Sequence, residues 1–163
     1  MIRASVAAFV VALTLLSSSA CGPTIDLSKA IEVTDVLGGY YDAGLKDGWN
    51  YLLPSLSFRL KNKDTRTLGP VQITVAFWKA GDEWDSVVLQ GVHAAGLAGG
   101  VTTESLLARA KIGFRLEGAR SDFFAHSMFQ DVTAKVFASQ AGRIYRLGEF
   151  KLEHLVIPHL NAD

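Results

Sequence analysis

The sequence predicts an all-β antiparallel sandwich of about seven or eight strands, and three observations carry that expectation. Apolar and polar residues alternate with period 2 in several separate runs, the pattern of a half-buried strand. Turn-forming clusters containing Gly separate these runs at short, fairly even spacing. No alternation of strands with long helical patterns occurs, which argues against a parallel α/β fold. Composition agrees: of 163 residues, 49% are hydrophobic, enough for a core, and this excludes a disordered chain. Sixteen basic side chains balance sixteen acidic ones, so no basic face for nucleic acid is expected. One cysteine excludes an intrachain disulfide and a cysteine-rich zinc module.

The chain opens with Met1-Ile2-Arg3, followed by an uncharged apolar run from Ala4 to Leu16 and then Ser17-Ser18-Ser19-Ala20. A charged start, a short apolar run and small residues describe a secretory signal peptide over residues 1–20. The run falls short of the roughly 20 residues that span a bilayer. The segment Leu16-Ser17-Ser18-Ser19-Ala20-Cys21 resembles a bacterial lipoprotein signal. That resemblance implies lipid attachment at Cys21, a membrane partner through the N-terminal lipid, and a cell-envelope location. Gly22 in place of Asp implies, by analogy with enterobacterial sorting, the outer membrane, with the protein facing the periplasm. A plain secreted protein and a retained anchor are the other readings. Residues 21–29, with Gly22-Pro23, are expected to be a short tether.

The sandwich is then expected over residues 30–163. A first strand lies around Ile31 to Leu37. Leu56, Phe58 and Leu60 set an apolar face against a wet face of Ser55, Ser57, Arg59 and Lys61. Asn62 to Arg66 is a polar turn region. Val71, Ile73, Val75 and Phe77 form the next buried stripe, and a charged turn with Gly81 leads to a short strand at Val87-Val88-Leu89, giving a hairpin. Gly91 to Thr103 reads as a glycine-rich loop. Ala110 to Leu116 and Val132 to Val136 alternate again; Ala141-Gly142-Arg143 is a turn; a last strand runs from about Glu149 to Ile157. Thr103 to Ala108 and Ser121 to Gln130 are local helical alternatives.

Leu60-x-Asn62, Leu68-x-x-Val71-x-Ile73-x-Val75-x-Phe77 and Gly81 are similar to the core hairpin of immunoglobulin-like FxLyD-type domains of bacterial envelope proteins. Phe58 stands where that family often has Gly. The resemblance implies an immunoglobulin-like sandwich acting in adhesion or interaction, and no catalytic residues.

The residues themselves give little chemistry. Histidines 93, 126, 154 and 159 lack metal-ligand spacing, and no metal site is expected. Asp82-Glu83-Trp84-Asp85 reads as a solvated hairpin tip, since calcium needs a shaped loop with six to eight oxygens. No Gly-x-Ser-x-Gly elbow occurs, and Gly96-Leu-Ala-Gly99-Gly100 lacks the Lys-Ser/Thr of a phosphate loop. Neither a catalytic residue nor a cofactor is expected. Trp78 falls by parity on the face opposite the Val71/Phe77 stripe, and Trp78 with Trp84 is the candidate interaction surface. Phe123, Phe124, Met128 and Phe129 are expected to plug one end of the sandwich. The expected role is non-catalytic binding of an envelope protein at the membrane. The alternatives are a periplasmic carrier or sensor of a small apolar or glycan ligand, which requires an enclosed cavity, and, behind it, a hydrolase with converging carboxylates.

Overall fold

The structure, a computed structural model, describes residues 25–119 and 122–157. The signal segment, Cys21 and His159 lie outside the described residues. Three hairpins build most of the molecule: β1 (Ile31–Lys46) with β2 (Trp49–Asn62), β3 (Val71–Lys79) with β4 (Asp82–Val92), and β7 (Val132–Gln140) with β8 (Arg143–Lys151). Their turns share one design. Asp47-Gly48, Ala80-Gly81 and Ala141-Gly142 each place two consecutive residues at positive φ. That is the type I′ geometry, whose twist matches paired strands, and glycine takes the second position without steric cost.

Two short strands, β5 (Leu106–Arg109) and β6 (Phe114–Leu116), pair with β2, and β9 (Val156–Ile157) runs parallel to β1. One sheet thus has the order β5-β2-β1-β9, with β6 further along β2; the other is β4-β3-β7-β8. Every other pairing is antiparallel. The expected all-β sandwich is what the chain forms. Leu52, Leu56, Phe58 and Leu60 of β2, Ile73, Val75 and Phe77 of β3, and Ala134, Val136 and Ala138 of β7 are fully buried in one core. Burying each large side chain contributes about 1.5–3 kcal/mol. Phe58 is therefore a core aromatic.

Several strand limits differ from the expectation. β1 continues past Leu37 to Lys46, bent by irregularities between Thr34 and Leu37 and between Asp42 and Gly44. The run from Ala110 to Leu116 is broken. Ala110 to Gly113 forms the link between β5 and β6, and a side chain at Gly113 would collide with the Leu52 carbonyl. The last strand is two strands in different sheets, because the buried Leu152 carries the chain across. Thr103 to Ala108 is not helical, and 122–130 forms turns. The expected wet face of β2 is wrong at two positions: Ser55 and Ser57 are buried. Arg109, the register partner of Ser55, lies over the Tyr41 ring, while Ser57 hydrogen-bonds Ser105 at 3.0 Å.

The sandwich has two unlike poles. At one, Ile25 and the single helical turn α1 (Leu27–Ala30) pack on the core, so folding begins inside the expected tether. The Ala30 carbonyl accepts from Lys63 N–H there. At the other lie the 47–48 and 80–81 turns and the segment 122–131. β2 alone, from Trp49 to Asn62, spans some 40 Å between them at about 3.3 Å per residue.

Candidate binding surface

Trp78 and Trp84 do not form one patch. Trp78 lies on the outer face of β4-β3-β7-β8, where Lys135 of neighbouring β7 sits 3.4 Å from the ring centroid. That face holds a shallow depression of about 350 Å3 over Gln72, Thr74, Ala76, Phe137, Ser139 and Ile144. Ile144 at its margin is 75% exposed. The Ala76 and Thr74 side chains are short, and this makes the floor.

Trp84 lies on the other side of the sheet, against the core at the far pole. An irregularity between Phe77 and Trp78 shifts the β3–β4 register, so parity along the chain no longer reports the face. The Trp84 ring meets Phe114 at 4.9 Å, and Lys79 Nζ lies 3.7 Å above it. Lys79 continues the inward stripe of Val75 and Phe77 to the end of the sheet, which carries its ammonium onto these rings rather than into the core.

From there an aromatic cluster closes the pole. Phe114 meets Phe129 at 4.8 Å; Phe129 meets Phe124 at 5.2 Å and Tyr40 at 5.4 Å; His154 stacks on Phe124 at 5.1 Å. This is the expected plug. Met128 is not part of it, however. Phe124 is inside the cluster and Met128 is 77% exposed. Burial raises the pKa of the Tyr40 hydroxyl above the usual tyrosine range, and the nearby Asp131 carboxylate adds to this. Asp131 is drawn the other way: Lys151 at 2.6 Å and His154 at 2.7 Å hold its carboxyl below the ordinary value.

Beside the cluster, a groove of about 600 Å3 runs between Trp49, Lys79, Trp84, Phe114, Arg115 and Met128. Arg115 rests over Trp49 at 5.0 Å. His126 and Glu117 complete the wall, with His126 Nδ1 accepting from Met128 N–H at 3.1 Å. Sequence reading named Trp84 and Met128 separately but not Lys79, Phe114 or Arg115 as site residues. The usable signal was Asp47-Gly48, whose turn brings Trp49 to the same pole as the 80–81 turn.

The acidic cluster at 82–85 is not wholly a solvated tip. Asp85 Oδ2 accepts from Lys111 N–H at 2.5 Å and Ile112 N–H at 3.1 Å, clamping the β5–β6 link to the β4 edge. Asp85→Ala is expected to destabilise the protein by about 1–2 kcal/mol, since it leaves two backbone donors without their acceptor. Urea unfolding measures this, and an unchanged midpoint would refute the clamp.

The glycine-rich loop is exposed along most of its length but is stapled to the end of β2 around buried Leu97. Buried Asn62 donates to the Leu97 carbonyl at 2.8 Å and the Arg66 carbonyl at 2.9 Å, and accepts from Asp64 N–H at 2.9 Å. Its backbone adds a bond to Val101 O and one from Gly100 N–H. A Cβ at Gly99 would fall 2.7 Å from the Asp64 and Thr65 carbonyls, so glycine lets the two loops touch. His93 lines an open groove that this loop forms with Glu104 and Leu106. No group of three or more metal-ligating side chains comes together among the described residues, and no described helix is long and apolar enough to cross a membrane.

No protein-family model matches the chain, and no curated protein matches it. Two solved structures are similar at low identity. One, described as the X-ray structure of Northeast Structural Genomics Consortium target SoR45, is 16% identical over 82% of this chain and 92% of its own, with a TM-score of 0.44. A protein from Archaeoglobus fulgidus is 10% identical over 76% of this chain and 100% of its own, with a TM-score of 0.37. Neither likeness bears on what this chain does.

Proposed function

We propose that this chain is a non-catalytic binding module of the bacterial cell envelope, anchored by lipid on Cys21 and acting through contact with another envelope protein. The observation that carries the reading is the polarity of the sandwich. Ile25 packs at one pole, and four residues of chain reach at most about 14 Å, so a lipid on Cys21 would hold that pole near the bilayer. The groove of Trp49, Trp84 and Arg115 would then face away from the membrane, open to a partner. Trp and Arg are the residue types that dominate binding energy at protein contacts.

Strand order supports the immunoglobulin-like assignment. β2 lies between β1 and β5, and β3 between β4 and β7, as strand B lies between A and E, and C between C′ and F, in immunoglobulin sandwiches. A carrier role would need space between the sheets, whereas the facing side chains there are buried against one another and the grooves described above open to solvent.

Intact-mass analysis of membranes holding wild type or Cys21→Ser tests the anchor. The expected wild-type product begins at Cys21 with added acyl mass and partitions with membranes; the variant does neither. A soluble, unmodified wild-type chain would overturn it.

A further inference from the structure

We propose that the far-pole groove binds an acidic protein segment carrying a large apolar side chain, which inserts between Trp49 and Trp84 while its carboxylates meet Lys79 and Arg115. The inference rests on the binding-module reading and names the chemistry of the partner. Lys79 and Arg115 are the two cations of the groove wall, and each is held over an indole rather than against a carboxylate among the described residues. A cation on an aromatic face is held less strongly than in a well-formed charged hydrogen bond in a desolvated contact, so both charges stay available to an incoming anion. The indoles fix where these flexible side chains rest, which lowers the entropy lost on binding.

The rest of the wall fits a protein partner. Met128 projects beside the indoles, 77% exposed, and Phe114 forms the floor against Trp84. Trp, Phe, Met and Arg are the types enriched at the cores of protein contacts. Glu117 stands in the wall as the one carboxylate, and Asp85 nearby is engaged by the Lys111 and Ile112 N–H groups. With two cations against one carboxylate, the groove favours an acidic segment over a basic one.

Selection of random twelve-residue peptides on the full chain in detergent micelles tests this. The expected winners have net negative charge and at least one Leu, Phe, Tyr or Trp. Their affinity should fall at least tenfold in Lys79→Gln/Arg115→Gln, whose thermal midpoint matches wild type, and should weaken with added salt. Neutral or basic winners, no winners, or acidic winners that bind the double variant equally well would overturn the proposal. Preferential binding of oligogalacturonate over the selected peptides would overturn it too, by assigning the groove to acidic glycans. The acyl group takes no part in this readout, so a chain that is unlipidated yet selects acidic peptides would refute the anchor alone.

Discussion

Asn62→Ala is expected to lower stability by about 3 kcal/mol and the thermal midpoint by roughly 10 °C. The side chain is fully buried and all three of its hydrogen bonds go to backbone: two carbonyls, of Arg66 and Leu97, and the Asp64 N–H. Alanine leaves these groups without the amide and opens a small cavity between two loops. Leu97 and Leu68, paired through their backbones beside it and both buried, are then less well fixed. Asn62→Asp separates the contributions. It keeps the shape and the acceptor for Asp64 N–H but turns both donors into a carboxylate oxygen facing carbonyls, so it should be at least as damaging as alanine near neutral pH. Differential scanning calorimetry of both variants measures the effect. A midpoint within about 2 °C of wild type for Asn62→Ala would show that the loops hold without the staple.

The polar residue doing this lay in plain view within Leu60-x-Asn62, yet from the sequence alone 62–66 read as a polar turn region and 91–103 as a glycine-rich loop or irregular edge. Burial of a polar side chain depends on what meets it in space, and Leu97 and Val101, whose carbonyls accept from Asn62, lie more than thirty positions away. Legibility followed the same rule elsewhere. β2, β3 and β7 were readable because Leu56, Phe58 and Leu60, then Val71 to Phe77, then Val132 to Val136 set apolar residues on the inner face with period 2, and the ladder joining β3 to β7 has no register shift. β1 was legible only to Leu37. Asp35 takes a positive φ, the ladder slips there, and the apolar residues after it fall out of phase with those before. The continuation to Lys46 was still signalled by Asp47-Gly48, a strong hairpin turn that was not used.

The binding surface was the least legible part for a physical reason. Residues 49, 79, 84, 114, 115 and 128 meet only because two hairpin ends, β6 and the 122–131 segment converge on a single pole. No spacing within any one segment encodes that meeting. Pairing Trp78 with Trp84 looked natural over six residues, but a type I′ turn and one register irregularity between them put the rings on opposite sides of the sheet.

Phe129→Ala should cost about 2–3 kcal/mol, less than for a fully buried ring, and the loss should be concentrated at the far pole. Phe129 touches Tyr40, Phe114, Phe124 and His154, and so ties 122–131 to β1, β6 and the link between β8 and β9. Within that segment the backbone bonds are local, from His126 N–H to Phe123 O and from Phe129 N–H to His126 O. The aromatic contacts therefore do most of the holding, and removing one ring should lower the free energy of local opening. Hydrogen exchange is expected to quicken at His126 and Phe129 well beyond any change in β3 and β7, whose ladders do not involve the ring. Because the segment carries Met128, the selected acidic peptides should also bind Phe129→Ala more weakly, through loss of a groove wall with both cations intact. If exchange quickens equally through the central strands, the ring supports the sandwich as a whole. The far pole would then be no separable latch, and its groove would be as rigid as the core beneath it.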